Sequence, residues 1–571
     1  MALTMAQILQ ICILVVYLVV LLIMGKMSTG QVKSNTDYLL SGRQMSWIIV
    51  AGGLVGTNFS GAVITSVSNF AYTYGLGGMI YEGSTVIGFL LCAFLYAKRV
   101  RLSGAFTIAE LFEIRYGLNV RIIAGFFIML SGISAASSQF KAIGLIFNSM
   151  FGVPENVGII IAWVVTIAYM TMGGFAASNY TIIPQMACCF IAFPAVAVWA
   201  IGKFGGFEAL TAMPNLPDTY FTLFGPTLKL VLTWILQWMW VNEWGSQWYF
   251  QRTSAARNVK HAKKAFVATF AALTIMCLIP GTLIGLFARI AYPDLVNAEQ
   301  SLSLMISISP VFLGGLAMTG VFAAAMSTVD GCGMGAVTVI VRDFYQRALG
   351  HMDDDPKKIN RASRIVTFVV LVVILLMATS LQSVIAGLNF LFVFSSGNFG
   401  ALIAALFWKK ASKEGALISI LTAGIVAVGW TLAGQTIVFD GIWWSFTLSV
   451  TLMVVISLIV HKTGPWWGKS EKPVRKQVKD DILAFLSNRT ATMSDFIDRF
   501  HVNSSDLRLA VSELTMEGKI VEIDYMTYTL KEHSSPDQVF TKDSTVARDI
   551  HMILVAAISV VGLVTIWIIS H

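Results

Sequence analysis

Apolar runs close to twenty residues long recur from one end of this chain to the other, and they restrict its folds more than any single motif does. A helix needs roughly 20 residues to cross the hydrocarbon of a bilayer. About 14 segments approach that length, at approximately 7–25, 45–69, 77–97, 122–150, 157–172, 180–202, 226–250, 265–288, 310–340, 364–384, 386–408, 415–434, 441–461 and 552–569. With 56% hydrophobic and 12% charged residues over 571 positions, soluble domains have no room to hide that much apolar surface. The fold class is all-α, a multi-pass membrane protein set in a lipid bilayer. The first segment lacks a basic flank and a small-residue cleavage site, so it is expected to be a retained helix rather than a signal peptide.

The net charge of +8 follows from topology. If the segments alternate, the connections carrying Lys98, Arg99 and Arg101, then Arg257, Lys260 and Lys263, then Arg342, Arg347 and Lys357, then Lys409 and Lys410 all fall on one side. The other side holds little beyond Lys203 and Arg289. That asymmetry predicts cytoplasmic basic loops and an N-terminus outside. All six cysteines lie in apolar stretches without metal-ligand spacing, which fits buried thiols.

One stretch is polar. Residues 465–544 interrupt the pattern between a transmembrane domain at 1–462 and a final helix at 552–569. "KQVKDDILAFLSNR", "MSDFIDRF" and "NSSDLRLAVSELTMEG" read as three helices and "KIVEIDYMTYTL" as two short strands, an α+β module of winged-helix type on the cytoplasmic side. Its third helix sets Asp506, Glu513 and Glu517 against Arg508, which would repel phosphate, so no nucleic acid is expected. The expected role is docking or regulation with a cytoplasmic partner; a structural appendage is the plainer alternative.

Two apolar segments carry polar clusters. In "FAAAMSTVDGCG", residues 322–333, the carbonyl of Ala324 and the hydroxyls of Ser327 and Thr328 share one helix face. Hydroxyls there either bond back to the preceding turn or help to coordinate a small hard cation. A cation needs further oxygens, and backbone carbonyls become free only where a helix is broken. In "AGGLVGTNFSGAVITS" clustered glycines surround Thr57, Asn58 and Ser60, which fits either such a break or close helix packing.

These residues carry a resemblance. The chain resembles the sodium/solute symporter family over roughly residues 5–435, through "DYLLSGRQMSW" at 37–47, "GTNFSG" at 56–61, "YMTMGGFAASNYTIIPQ" at 169–185, "QRTSAARNVKHAKKA" at 251–265, "AAAMSTVD" at 323–330 and "FWKKASKEGAL" at 407–417. The resemblance implies a LeuT-type core of two inverted five-helix repeats with extra helices. It implies Na+ held by the carbonyls of Gly56, Phe59 and Ala324 and the side chains of Ser327 and Thr328. Some members bind a second sodium through an aspartate after the threonine of the "YTIIPQ" motif. Here Ile182 stands at that position, so one sodium per cycle is expected.

The implied activity is sodium-coupled uptake of a small organic solute (a sugar, sugar acid, amino acid or amine) across a bacterial inner membrane. The solute is expected near Thr57, Asn58 and Ser60, against Ser137 and Gln139 and the segment bearing Trp240, Glu243 and Gln247. Glu243 is costly inside an apolar segment. It answers to a cationic solute, an internal hydrogen bond, or a salt bridge with Arg252 or Lys141. No phosphate loop, metal constellation or nucleophile motif stands out, so an enzyme is not expected. The other functional class is a solute sensor signalling through the C-terminal module. Asp330 serves a lining or gating role or a structural one.

Overall fold

The computed structural model describes residues 4–28, 45–433 apart from 215 and 352–354, 441–463, and 476–533 with short gaps. The expected helix at 552–569 lies outside them. The bundle begins with α1 (Met5–Ser28), α2 (Trp47–Asn58) and α3 (Gly61–Tyr74), then α4 (Met79–Leu91), which runs on through a π turn to Ser103. There follow α5 (Ile108–Tyr116), α6 (Leu118–Phe151), α7 (Glu155–Lys203), α8 (Leu228–Trp234), α9 (Gln247–Ala255), α10 (Val259–Leu273) and α11 (Ile279–Ala291). The bundle ends with α12 (Ser301–Ile308), α13 (Val311–Val339), α14 (Pro356–Ser380), α15 (Val384–Phe407), α16 (Lys413–Leu432) and α17 (Gly441–Thr463).

Among the described residues, nine helical runs are long and apolar enough to cross a membrane, and three shorter apolar helices accompany them. The expected number was about 14, and the difference has physical causes. Segment 45–69 is two helices, and Gly61–Ser103 reverses at Gly75–Gly78 so that Phe70 meets Tyr81 at 4.8 Å between ring centroids. Segment 226–250 is interrupted by a π turn at Ile235–Asn242 and by extended backbone at Ser246.

The 49-residue run of α7 takes in both segments 157–172 and 180–202. Gly158 packs on Phe147, whose ring meets Phe322, while Cys189 donates to the carbonyl of Gly320. A straight helix would separate residues 158 and 189 by roughly 46 Å. Both lie at one level of α13, so the run passes across the bundle and back.

At the end bearing the basic loops, buried charges tie three elements together. Arg121 of α6 pairs with Glu113 of α5 and, at 2.7 Å, with Asp343 in the extension of α13. Arg347 donates to Glu113 at 2.8 Å.

Residues 476–533 sit against this same end. They comprise α18 (Lys476–Leu486), β1 (Ala491–Thr492), α19 (Met493–Phe500), β2 (Ile520–Asp524) and β3 (Thr527–Leu530), with an antiparallel sheet ordered β1-β3-β2. The two expected strands are present, and β1 joins them. Of the expected third helix, Leu507, Ala510, Val511 and residues 513–515 are described, as helical. Arg101 donates to Ser494 at 2.7 Å, and Lys409 faces Glu522 at 3.7 Å. Gly104, with φ of 69°, lets Ser494 approach so closely that no side chain would fit there.

Candidate functional site

The helix that starts at Trp47 stops at Asn58. Phe59 (ψ 94°) and Ser60 (φ −123°, ψ 158°) are extended, and Ser60 caps α3 by accepting from the amide of Val63 at 3.0 Å. The break takes the carbonyl of Gly56 out of the helical ladder, since its i+4 donor would have been Ser60. It accepts instead from Ser327 at 2.6 Å and from Thr328 at 3.3 Å. The same two hydroxyls donate to the carbonyl of Ala324 at 2.9 and 3.0 Å.

Four of the five expected oxygen sources are therefore brought together, and all four residues are buried. Neutral carbonyl and hydroxyl oxygens gathered at a helix break are what a small hard cation can use in place of water. Phe59 is placed at the break, with its ring edge-on to Phe193 at 5.3 Å.

Thr57, Asn58, Ser60 and Gln139 line one cavity with Trp238, Asn242, Trp248, Tyr249 and Thr328, closed on one side by Leu388 and Leu391. Its space, about 20 Å³, holds a water molecule and no organic solute, so the side chains have closed on one another. Gln139 accepts from the amide of Ala62 at 3.1 Å and thereby steadies the restart of the broken helix. Asn58 donates to the Tyr249 hydroxyl at 3.1 Å, while its own buried Oδ1 has no hydrogen-bond partner among the described residues.

Four expected solute residues lie outside the lining of this cavity. Ser137 donates to the carbonyl of Ile374 and so faces α14. Gln247 accepts from the amide of Ile108 at 2.9 Å and donates to the carbonyl of Phe106, capping the start of α5. Trp240 is half-buried and lies tilted against Trp244, outside the cavity lining. Glu243 is buried behind the cavity wall, against Gly88 of α4, and touches the lining through Asn242, which donates to it at 3.1 Å. Lys141 pairs with Glu155 at 2.6 Å and is not the partner of Glu243.

Sequence reasoning passed over Tyr249, Asn242 and the two leucines. The "NEWGSQWY" stretch flagged polarity, but which face turned inward depended on the interruption at Ser246.

Ile182 lies beside the cation-type oxygens: a side chain on Gly56 would collide with it. Arg252, fully buried, packs its guanidinium on Gly53 of α2 and lies within electrostatic reach of Asp330.

A family model described as the sodium:solute symporter family matches residues 38–423, about two-thirds of the chain. The sodium/glucose cotransporter of Vibrio parahaemolyticus is 24% identical over 434 residues, covering 69% of this chain and 79% of the relative. The osmoregulated proline transporter OpuE of Bacillus subtilis is 23% identical, covering 78% and 94%. A sodium/proline symporter of Staphylococcus aureus is 24% identical, covering 81% and 95%. Among solved structures, a Na+-coupled sialic acid symporter in a substrate-bound outward-open state superposes with a TM-score of 0.69 at 19% identity, over 79% of this chain and 98% of that one. The break at Phe59–Ser60, the apolar helical runs and the match along most of the bundle agree: the chain belongs to the sodium:solute symporter family.

Proposed function

We propose that this protein imports a small organic solute together with one sodium ion, by alternating access, across a bacterial inner membrane with its N-terminus outside. Family membership makes it a sodium-coupled membrane transporter and not an enzyme. The relatives are transporters, and a sensor finds no support among them.

The observation that carries the reading is the meeting of Gly56 O, Ala324 O, Ser327 Oγ and Thr328 Oγ across the helix break. With the Phe59 carbonyl they form the sodium ligand set. Sodium supplies a charge moved down its gradient, about 2.3 kcal/mol per 100 mV of membrane potential. The residues do the coupling: the ligands on α2 and α13 join the broken helix to its partner, and Thr57, Asn58 and Ser60 beside them take the solute. Linking these positions in one break makes solute affinity depend on the ion, and the reverse by linkage. Ile182, where a second sodium site would need a carboxylate, supports a stoichiometry of one.

The solute stands among sugars, sugar acids, amino acids and amines. The C-terminal module, docked through Ser494 and Glu522 on the basic end, serves regulation with a cytoplasmic partner.

The test is a sodium titration of thermal stability in purified protein, since a ligand that binds only the folded state raises its stability by mass action. A saturable rise with Na+ that potassium does not reproduce is expected. No difference between the two ions would refute the site.

A further inference from the structure

A second, larger cavity opens at the end of the bundle opposite the basic loops. Its volume is about 240 Å³, near the low end of the roughly 300–1,000 Å³ usual for small-molecule sites. Lys141, Glu155 and Glu299 supply its charged lining and Asn69, Asn297 and Gln382 its side-chain amides, with Ser383 and Val384 at one edge. Three helices that line the central cavity also line this one. Val63 and Asn69 belong to α3, Gln139 and Lys141 to α6, and Leu388 and Val384 to α15. Along each helix the two sets are six residues apart or fewer, within roughly 9 Å of axial rise. The outer cavity therefore stands directly over the solute cavity.

Its chemistry is specific. Lys141 and Glu155 pair at 2.6 Å while their side chains keep 14% and 31% exposure, so both have a face turned to the space. Glu299 accepts from the amide of Ile385 at 3.4 Å and feels the charge of Lys141. Asn69 is more than nine-tenths buried, lines the cavity, and makes no side-chain hydrogen bond among the described residues. One ammonium and two carboxyls, set among three side-chain amides, match a ligand carrying both charges. A carboxylate can take over Lys141 while an ammonium takes over Glu155 or Glu299, so each ion pair broken is replaced by another. A neutral sugar offers no such exchange, and an anion meets two carboxyls.

We infer that this outer cavity is a binding site for a zwitterionic solute, an α-amino acid, held there on its way to the central cavity. The inference rests on the symporter reading and narrows its substrate class.

The experiment measures thermal stability of the full chain in saturating NaCl against the twenty common L-amino acids, glucose and sialic acid. At least one amino acid is expected to stabilise the protein. Lys141→Gln and Glu299→Gln should each raise the concentration needed at least tenfold, Lys141→Arg should largely restore it, and the shift by NaCl alone should persist in all three, showing that they fold. Stabilisation by glucose or sialic acid but by no amino acid overturns the proposal, as does an amino-acid response that both glutamine variants leave intact. A sodium shift with no response to any amino acid also counts against it and spares the symporter reading. Loss of the sodium shift in the unaltered chain removes both.

Discussion

Ser327 sits nearer to Gly56 O than Thr328 does, 2.6 against 3.3 Å, although the two hydroxyls are equivalent by spacing. Removing either leaves a cation one oxygen short. Ser327→Ala and Thr328→Ala are each expected to raise the half-saturating sodium concentration about tenfold, roughly 1.4 kcal/mol, with Ser327 the more costly. Stability without sodium should change little, because both hydroxyls can be lost without opening a large cavity; equal sodium curves for both variants and the parent would contradict this.

Glu299 makes a pH prediction. Burial pushes its carboxyl above the usual carboxylate range, although the amides of Ile385 and Val384 and the charge of Lys141 oppose the shift. An acid shifted upward loses its charge sooner as pH falls. Amino-acid affinity in the outer cavity, where Lys141 and Glu155 face it, should therefore weaken at a higher pH than an exposed glutamate would dictate. Glu299→Gln should bind more weakly and abolish that dependence, as a series of binding curves from neutral to acid pH would show. Ser327 and Thr328 were legible because helix periodicity alone puts them with Ala324. Gln247 was misplaced because its partner, the amide of Ile108, is 139 positions away in sequence.

At the level of elements, the decisive feature is how closely the broken helix approaches α13. A Cβ on Gly331 would lie 2.6 Å from the side chain of Thr57, and one on Gly61 3.1 Å from Ala325. Gly331→Val should push α2 away from Ser327. Overpacking of this kind costs about 1–3 kcal/mol of stability, and sodium affinity should fall with it. Gly333→Ala is the control, since the nearest atom there, on Met170, is 3.5 Å away. Chemical denaturation and sodium titration of the pair should separate them; equal behaviour would mean that the contact does not position the site.

The break itself was legible from clustered glycines and hydroxyls between apolar flanks. The interruption within α7 was legible too, as the gap between segments 157–172 and 180–202; the π turn at Ile235–Asn242 was not, because composition reports burial in lipid rather than hydrogen-bond register.

Across the whole molecule, charge placement was the readable quantity and charge pairing the unreadable one. The basic connections are visible in the chain, and those carrying Arg101, Arg347 and Lys409 gather at one end of the bundle. Nothing local, however, joins Arg121 to Asp343, 222 positions away. That pairing matters because the cluster is buried: Glu113 and Asp343 have no exposed side-chain surface, and Arg121 has 4%. A surface ion pair would contribute less than about 1 kcal/mol. Here, removing the shared cation strands the Asp343 carboxylate in a desolvated site, and breaking a buried pair from one side costs roughly 3–5 kcal/mol. Arg347 still reaches Glu113, but among the described residues Asp343 would keep the Thr107 hydroxyl as its side-chain donor, with Glu110 repelling it. Arg121→Met should therefore lower stability by several kcal/mol, and adding Asp343→Asn should recover part of the loss by removing the stranded charge. Denaturation of the single and double variants decides the matter: if the double variant is no more stable than the single, Asp343 is not the group that Arg121 compensates. Sodium affinity should stay near the parent value in both variants, because the cluster joins α5 and α6 to the extension of α13 more than three helical turns from Ser327.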